Sequence, residues 1–143
     1  MKVLILAGGA GSRLGDITKV IPKPLVKIGR FPILFHIIKI YLNYNIREFV
    51  IALGYKGEKI VEYFIKRKIT KKIKNHLKKG FHIKSRIFNK TCKIIFIETG
   101  KKTMTGGRVK IAAKLINEKN FYLTYGDGLS NININKLTKF HFK

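Results

Sequence analysis

Lys2-Val3-Leu4-Ile5-Leu6-Ala7-Gly8-Gly9-Ala10-Gly11-Ser12-Arg13 is the stretch on which the reading of this chain turns. The run from Lys2 to Ala7 is short, apolar and ended by glycine, the pattern of a strand buried on both faces in a parallel sheet. Directly behind it, small residues let the backbone turn tightly and offer several N–H donors to an anion, as a phosphate cradle does. The turn lacks the Gly-Lys-Ser/Thr ending of a P-loop, and Leu14 stands where a dinucleotide fingerprint requires its third glycine. Arg13 can lay a planar fork on phosphate oxygens, and Lys23, held between Pro22 and Pro24, is a point charge on a stiff loop.

Working outward, strand and helix alternate. Ile33 to Tyr44 carries Ile33, Ile37, Ile40, Tyr41 and Tyr44 at helical spacing, with Pro32 suited to the first helical position. Glu48 to Leu53 is a second apolar run and meets Gly54-Tyr55-Lys56-Gly57, after which Ile60, Val61, Phe64 and Ile65 mark a helix face. Lys93 to Glu98 predicts a third strand, Val109, Ala112, Ala113 and Ile116 a third helix, and Phe121 to Tyr125 a fourth strand that ends at Gly126-Asp127-Gly128. From Asn133 to Lys143 the spacing predicts a last helix with Ile134, Leu137 and Phe140 or His141 facing inward. Lys66 to Lys90, crowded with lysine and arginine, reads as a solvated helix-and-loop excursion between the second and third strands. The repeated βα unit implies an α/β fold, three-layered and Rossmann-like with a mostly parallel sheet, whose ligands bind outside the carboxyl ends of the strands.

Composition bounds the remaining classes. The chain has 143 residues and 45% hydrophobic residues, enough for one domain with a core, residues 1–143. Its 31 basic and 7 acidic side chains give a net charge of +24, which suggests either a polyanion partner or a Lys-rich compositional drift spread over all surfaces. One cysteine, Cys92, excludes an internal disulfide and suits a reducing cytoplasm. No apolar run reaches the ~18–20 residues of a membrane span, and none of the histidines has ligand spacing.

Leu6 to Leu14 followed by Ile21-Pro22-Lys23-Pro24 resembles the opening signature of the sugar-phosphate nucleotidyltransferases. Two further segments, Thr103-Met104-Thr105-Gly106-Gly107-Arg108 and Leu123-Thr124-Tyr125-Gly126-Asp127-Gly128, are similar to the branch of that family that acts on CTP and glucose 1-phosphate. The likeness runs nearly from Met1 to Lys143 and is weakest between Lys66 and Lys90. It implies CTP plus α-D-glucose 1-phosphate giving CDP-glucose and diphosphate, a step in nucleotide-sugar and surface polysaccharide (lipopolysaccharide O-antigen) biosynthesis. It further implies a nucleotide held by Leu6, Ala7, Gly8, Gly9, Ala10, Gly11, Ser12, Arg13 and Lys23, with Arg13 and Lys23 as the catalytic cations. Thr103 and Arg108 would contact the nucleotide, and Asp127, exposed between glycines at a strand end, would bind Mg²⁺. A homo-oligomer is implied as well.

Members of the family are substantially longer, and their later half supplies a second metal carboxylate and most of the sugar-phosphate pocket. The expectation is therefore the nucleotide-binding portion of a catalytic domain that continues beyond this length, with nucleotide binding and little turnover. Two rival readings stay open: the same fold acting on dTTP, UTP or GTP, and a basic nucleic-acid-binding module built on the lysine-rich stretch with Phe81 and Phe88 interleaved.

Overall fold

A computed structural model describes residues 1–9 and 20–143. Five strands form one sheet in the order β5-β6-β4-β1-β7, where β1 is Val3–Ala7, β4 Glu48–Leu53, β5 Phe81–Ile87, β6 Lys90–Glu98 and β7 Tyr122–Tyr125. β1, β4, β6 and β7 run parallel, and β5 alone is antiparallel. A two-stranded ribbon, β2 (Lys27–Ile28) with β3 (Phe31–Pro32), stands apart from it.

β1 lies between β4 and β7, which pair both its edges, and helices cover both its faces, so all five residues are buried. Its side chains alternate between two cores. Val3, Ile5 and Ala7 enter the larger one, with Phe49, Ile51 and Leu53 of β4 and the buried faces of α1 (Ile33–Asn43), α2 (Gly57–Ile65) and α3 (Lys71–Leu77). Leu4 and Leu6 enter the smaller one, with Val50, Ala52, Ala112 and Ile116, beneath α4 (Thr105–Ala113). The result is helix, sheet, helix. Each fully buried Val, Leu or Ile contributes about 1.5–3 kcal/mol of transfer free energy, which makes this central strand the foundation of the domain.

In α1 the buried residues are Leu34, Ile37, Ile38, Tyr41 and Leu42, so that of the expected face Ile37 and Tyr41 are buried, while Ile33, Ile40 and Tyr44 are partly buried and pack against the same core. Pro32 precedes the first turn instead of lying in it. α5 (Ile134–His141) is capped by the Asn133 side chain, which accepts from the Lys136 N–H at 3.0 Å. Of the residues expected to face inward, Ile134, Leu137 and Phe140 or His141, only Ile134 is buried; Leu137 is 41% and Phe140 79% exposed, and His141 is exposed as well.

The stretch read as a helix-and-loop excursion holds the expected helix, Lys71–Leu77, and also a strand, Phe81–Ile87. In Phe81–Ile87 the side chains of His82, Lys84 and Arg86 are exposed, while Phe81 and Ile83 pack against the larger core and Ile87 is buried within it. This edge strand pairs with β6 from Phe81↔Phe96 to Ile87↔Lys90. Its charged residues lie on one face, so they cost the strand nothing in burial, yet they hid its period-2 pattern. The connecting turn, Phe88-Asn89, has φ of 45° and 64°, the left-handed pair that matches hairpin twist. Phenylalanine is an unusual residue there. Its ring lies 4.5 Å from that of Phe31, with the Lys39 ammonium 4.6 Å above it, contacts that offset the backbone cost.

Candidate functional site

Four parallel strands bring their carboxyl ends to one side of the sheet, where a cavity of about 630 Å³ opens. Leu6, Ala7, Gly8 and Gly9 line it from the end of β1, Lys23 and Pro24 from the 3₁₀ turn Lys23–Leu25, and Tyr125 and Asp127 from the end of β7. Thr103, Met104, Thr105 and Arg108 come from the start of α4 and the loop before it. Leu6, Ala7, Gly8, Gly9, Lys23, Thr103, Arg108 and Asp127, singled out in the sequence, thus share one cavity. Ala10, Gly11, Ser12 and Arg13 lie outside the described residues.

The end of β1 and the residue after it, Leu6 to Gly8, are held from two sides. The Gly8 carbonyl accepts the Tyr55 N–H at 3.1 Å, and Gly126 N–H donates to Leu6 O at 2.9 Å, which ties the turns after β4 and β7 to the end of β1. A Cβ on Gly8 would overlap the Arg108 guanidinium, with Cζ at 2.5 Å. One on Gly54 would stand 2.6 Å from Gly8 O and also overlap that guanidinium. Neither glycine is needed for an unusual φ. They are needed for the missing Cβ, which leaves a notch that the arginine fills.

Arg108 is accordingly buried, only 6% exposed. Its Nη1 donates to Leu53 O at 3.1 Å and to Thr99 Oγ1 at 2.7 Å, and its Nη2 to Lys101 O at 3.3 Å. These acceptors are neutral. Burial pushes the guanidinium pKa down, opposed by the charge of Glu98. Read from the sequence as a side chain extended toward an anion, Arg108 here spends most of its donor fork on the protein while still lining the cavity.

On the β7 side the setting is wetter. Lys23 Nζ lies 3.6 Å from Asp127 Oδ2, with side chains 21% and 40% exposed. A pair this open is worth only about 0.2–1 kcal/mol, so an incoming phosphate and a cation can divide it at little cost. Among the described residues no group of three His, Cys, Asp or Glu side chains gathers, and Asp127 is the one carboxylate among the described lining residues. That donor set fits Mg²⁺ in one way. Mg²⁺ commonly keeps several waters and binds through one or two carboxylates together with substrate phosphates, so Asp127 suits it when phosphate oxygens supply the other ligands.

Four lining or supporting residues escaped sequence reasoning. Lys101 and Lys102, on the loop before α4, are lost among the other lysines. Gly54 had registered only as a turn. Thr99, 3% exposed, carried no signal at all. Three of the four histidines have polar partners within the chain: His36 Nε2 with Ile28 O, His76 Nδ1 with Lys72 O, His141 Nε2 with Asn120 Oδ1. Among the described residues no helix is long and apolar enough to cross a membrane.

The family model described as "Nucleotidyl transferase" matches residues 2–143. The chain is 45% identical over 141 residues to a probable glucose-1-phosphate cytidylyltransferase of Bacillus subtilis, covering 99% of this chain and 56% of that protein. It is 40% identical over 147 residues to the glucose-1-phosphate cytidylyltransferase of Salmonella typhimurium, again covering 99% and 56%. Among solved structures, HddC from Yersinia pseudotuberculosis superposes with a TM-score of 0.77 at 26% identity, over 99% of this chain and 54% of that one, and has also been solved in complex with GMP-PN. The chain spans about half the length of the curated relatives it matches.

Proposed function

The chain belongs to the nucleotidyl transferase family, and from that premise we propose that its cavity binds a nucleoside triphosphate, CTP first among them, for transfer to glucose 1-phosphate. The observation that carries this reading is the joining of a glycine turn, Lys23 and Asp127 around one cavity of about 630 Å³. The reaction releases diphosphate as a sugar-phosphate oxygen attacks the α-phosphorus in line. Such chemistry asks mainly for positioning and charge neutralisation.

The assigned roles follow from what each group can do. Backbone N–H groups at Gly8 and Gly9, continued by Ala10, Gly11 and Ser12, cradle the phosphates. Lys23 leaves Asp127 for a phosphate oxygen, Arg13 adds a second cation, and Thr103 and the unengaged part of the Arg108 fork meet the nucleotide. Asp127 holds Mg²⁺, which when bound offsets phosphate charge. The sugar phosphate is taken up largely by chain length that the relatives have beyond the matched region. The setting proposed is cytoplasmic, the product serving surface polysaccharide synthesis such as that of O-antigen, and the working form is a homo-oligomer.

Titration calorimetry with Mg²⁺ and each of CTP, GTP, dTTP and UTP tests the reading. CTP is expected to bind most tightly. Similarity to HddC, solved with GMP-PN, and 31% identity to a heptose 1-phosphate guanylyltransferase of Campylobacter jejuni favour one second reading, a guanylyl donor. A preference for GTP would select it. Binding to none of the four, with salt-sensitive affinity for DNA instead, would replace both by the nucleic-acid reading.

A further inference from the structure

We propose that Thr99 and Gly54 are positioning residues that set the nucleotide cavity through Arg108, which holds the Gly8 turn in place. The proposal rests on the nucleotide-binding reading of the same cavity. It goes beyond that reading because Thr99 does not line the cavity and neither residue belongs to a motif that suggested the site.

The Thr99 hydroxyl stands at the centre of a buried junction. It donates to Leu53 O at 2.5 Å and accepts from Arg108 Nη1 at 2.7 Å. Leu53 O also receives the Thr99 N–H at 3.0 Å and Arg108 Nη1 at 3.1 Å. One hydroxyl therefore fixes the guanidinium against the ends of β4 and β6 together. No ion pair to Arg108 occurs among the described residues, so orientation depends on these neutral acceptors and on the walls of the notch. Those walls are the Cβ-free backbones of Gly8 and Gly54. Gly8 in turn is joined to the β4 side by the Tyr55 N–H. A guanidinium that rotates or backs out would leave unfilled space against the Gly8 and Gly54 backbones, and buried polar groups would lose their partners together.

Removing only the hydroxyl isolates the effect. Thr99→Val keeps the shape and deletes both bonds, whereas Thr99→Ser keeps the hydroxyl. The expected result is a roughly tenfold rise in the CTP·Mg²⁺ Kd for Thr99→Val and a comparable acceleration of Tyr55 amide hydrogen exchange, with Thr99→Ser recovering both. Ile94→Val, in the larger core away from the cavity, lowers stability without moving the Kd and so separates positioning from general loosening. Unchanged binding and exchange in Thr99→Val, or an equal loss of binding in Ile94→Val, overturns the proposal. If the unaltered chain binds no triphosphate, the functional reading fails, and Tyr55 exchange alone then decides the structural claim. Should Thr99→Val not fold, Arg108→Lys takes its place, since an ammonium cannot span the same acceptors; normal Tyr55 protection there would count against the proposal.

Discussion

On the β4–β6 side of the cavity Arg108 is packed into a notch with 6% of its surface exposed, whereas on the β7 side Lys23 and Asp127 keep 21% and 40% of their side chains in solvent and meet at 3.6 Å. Both sides place cationic groups on the same hollow. The first fixes its cation by desolvation, neutral acceptors and two absent Cβ atoms, which makes it costly to disturb and unsuited to rearrangement. The second pairs its charges loosely, so that a phosphate and a metal ion can take the partners apart. A triphosphate site needs both properties: a wall that holds the turn rigid and a wall that exchanges ligands.

The largest effect expected from breaking this contrast is Gly54→Ala. Its Cβ would meet Gly8 O at 2.6 Å and displace the Arg108 guanidinium, costing about 2–3 kcal/mol in urea unfolding through buried groups left unpaired. Gly128→Ala, where an added Cβ meets nothing within 4 Å, is the matched control on the open side and should stay within about 0.5 kcal/mol. Equal costs at the two glycines would erase the difference between the walls.

Asp127→Asn comes next. It should leave the urea midpoint unchanged but abolish the strengthening of triphosphate binding by Mg²⁺, a loss of at least about tenfold, or ~1.4 kcal/mol, measured with and without EDTA. Lys23→Met should weaken triphosphate binding several-fold and flatten its salt dependence, with a change in stability below about 0.5 kcal/mol. A large loss of stability in either variant would mean that the β7 wall is as structural as the other.

The smallest effect at neutral pH belongs to Cys92, buried at 2% exposure, where the same dryness that holds Arg108 acts on a thiol. Burial pushes its pKa up to about 11 from 9.0, against a lowering influence of Arg47. The folded state therefore favours the protonated thiol. That contribution is fully present below pH 9 and is lost as pH rises through about 11. Urea midpoints of the unaltered chain should fall over this window more steeply than those of Cys92→Ala; identical slopes would show that the thiol does not carry the loss.

The parts of the fold that read directly from sequence were those buried on both faces. Val3–Ala7 and Phe49–Leu53 are apolar without interruption because β1 and β4 lie inside the sheet with helices on either side. Phe81–Ile87 failed to register because an edge strand with one solvated face can carry His82, Lys84 and Arg86 at no cost, and lysine abundance concealed the alternation. Leu137 and Phe140 failed in the opposite direction, since helical periodicity implied an inward face and both side chains are exposed.

For the site, local sequence determined which residues can cradle a phosphate or hold a cation: a glycine turn after a strand, a lysine between prolines, an aspartate between glycines. Backbone conformation and side-chain chemistry at those positions are set within a few residues, so short motifs carry them. Only the tertiary structure decided that Arg108 is buried, that Gly54 and Thr99 support it, and that Lys23 pairs with Asp127. Those relations join residues as distant as Leu53 and Arg108, and Lys23 and Asp127. Their physical cause is desolvation and steric exclusion between elements that meet only when the sheet forms.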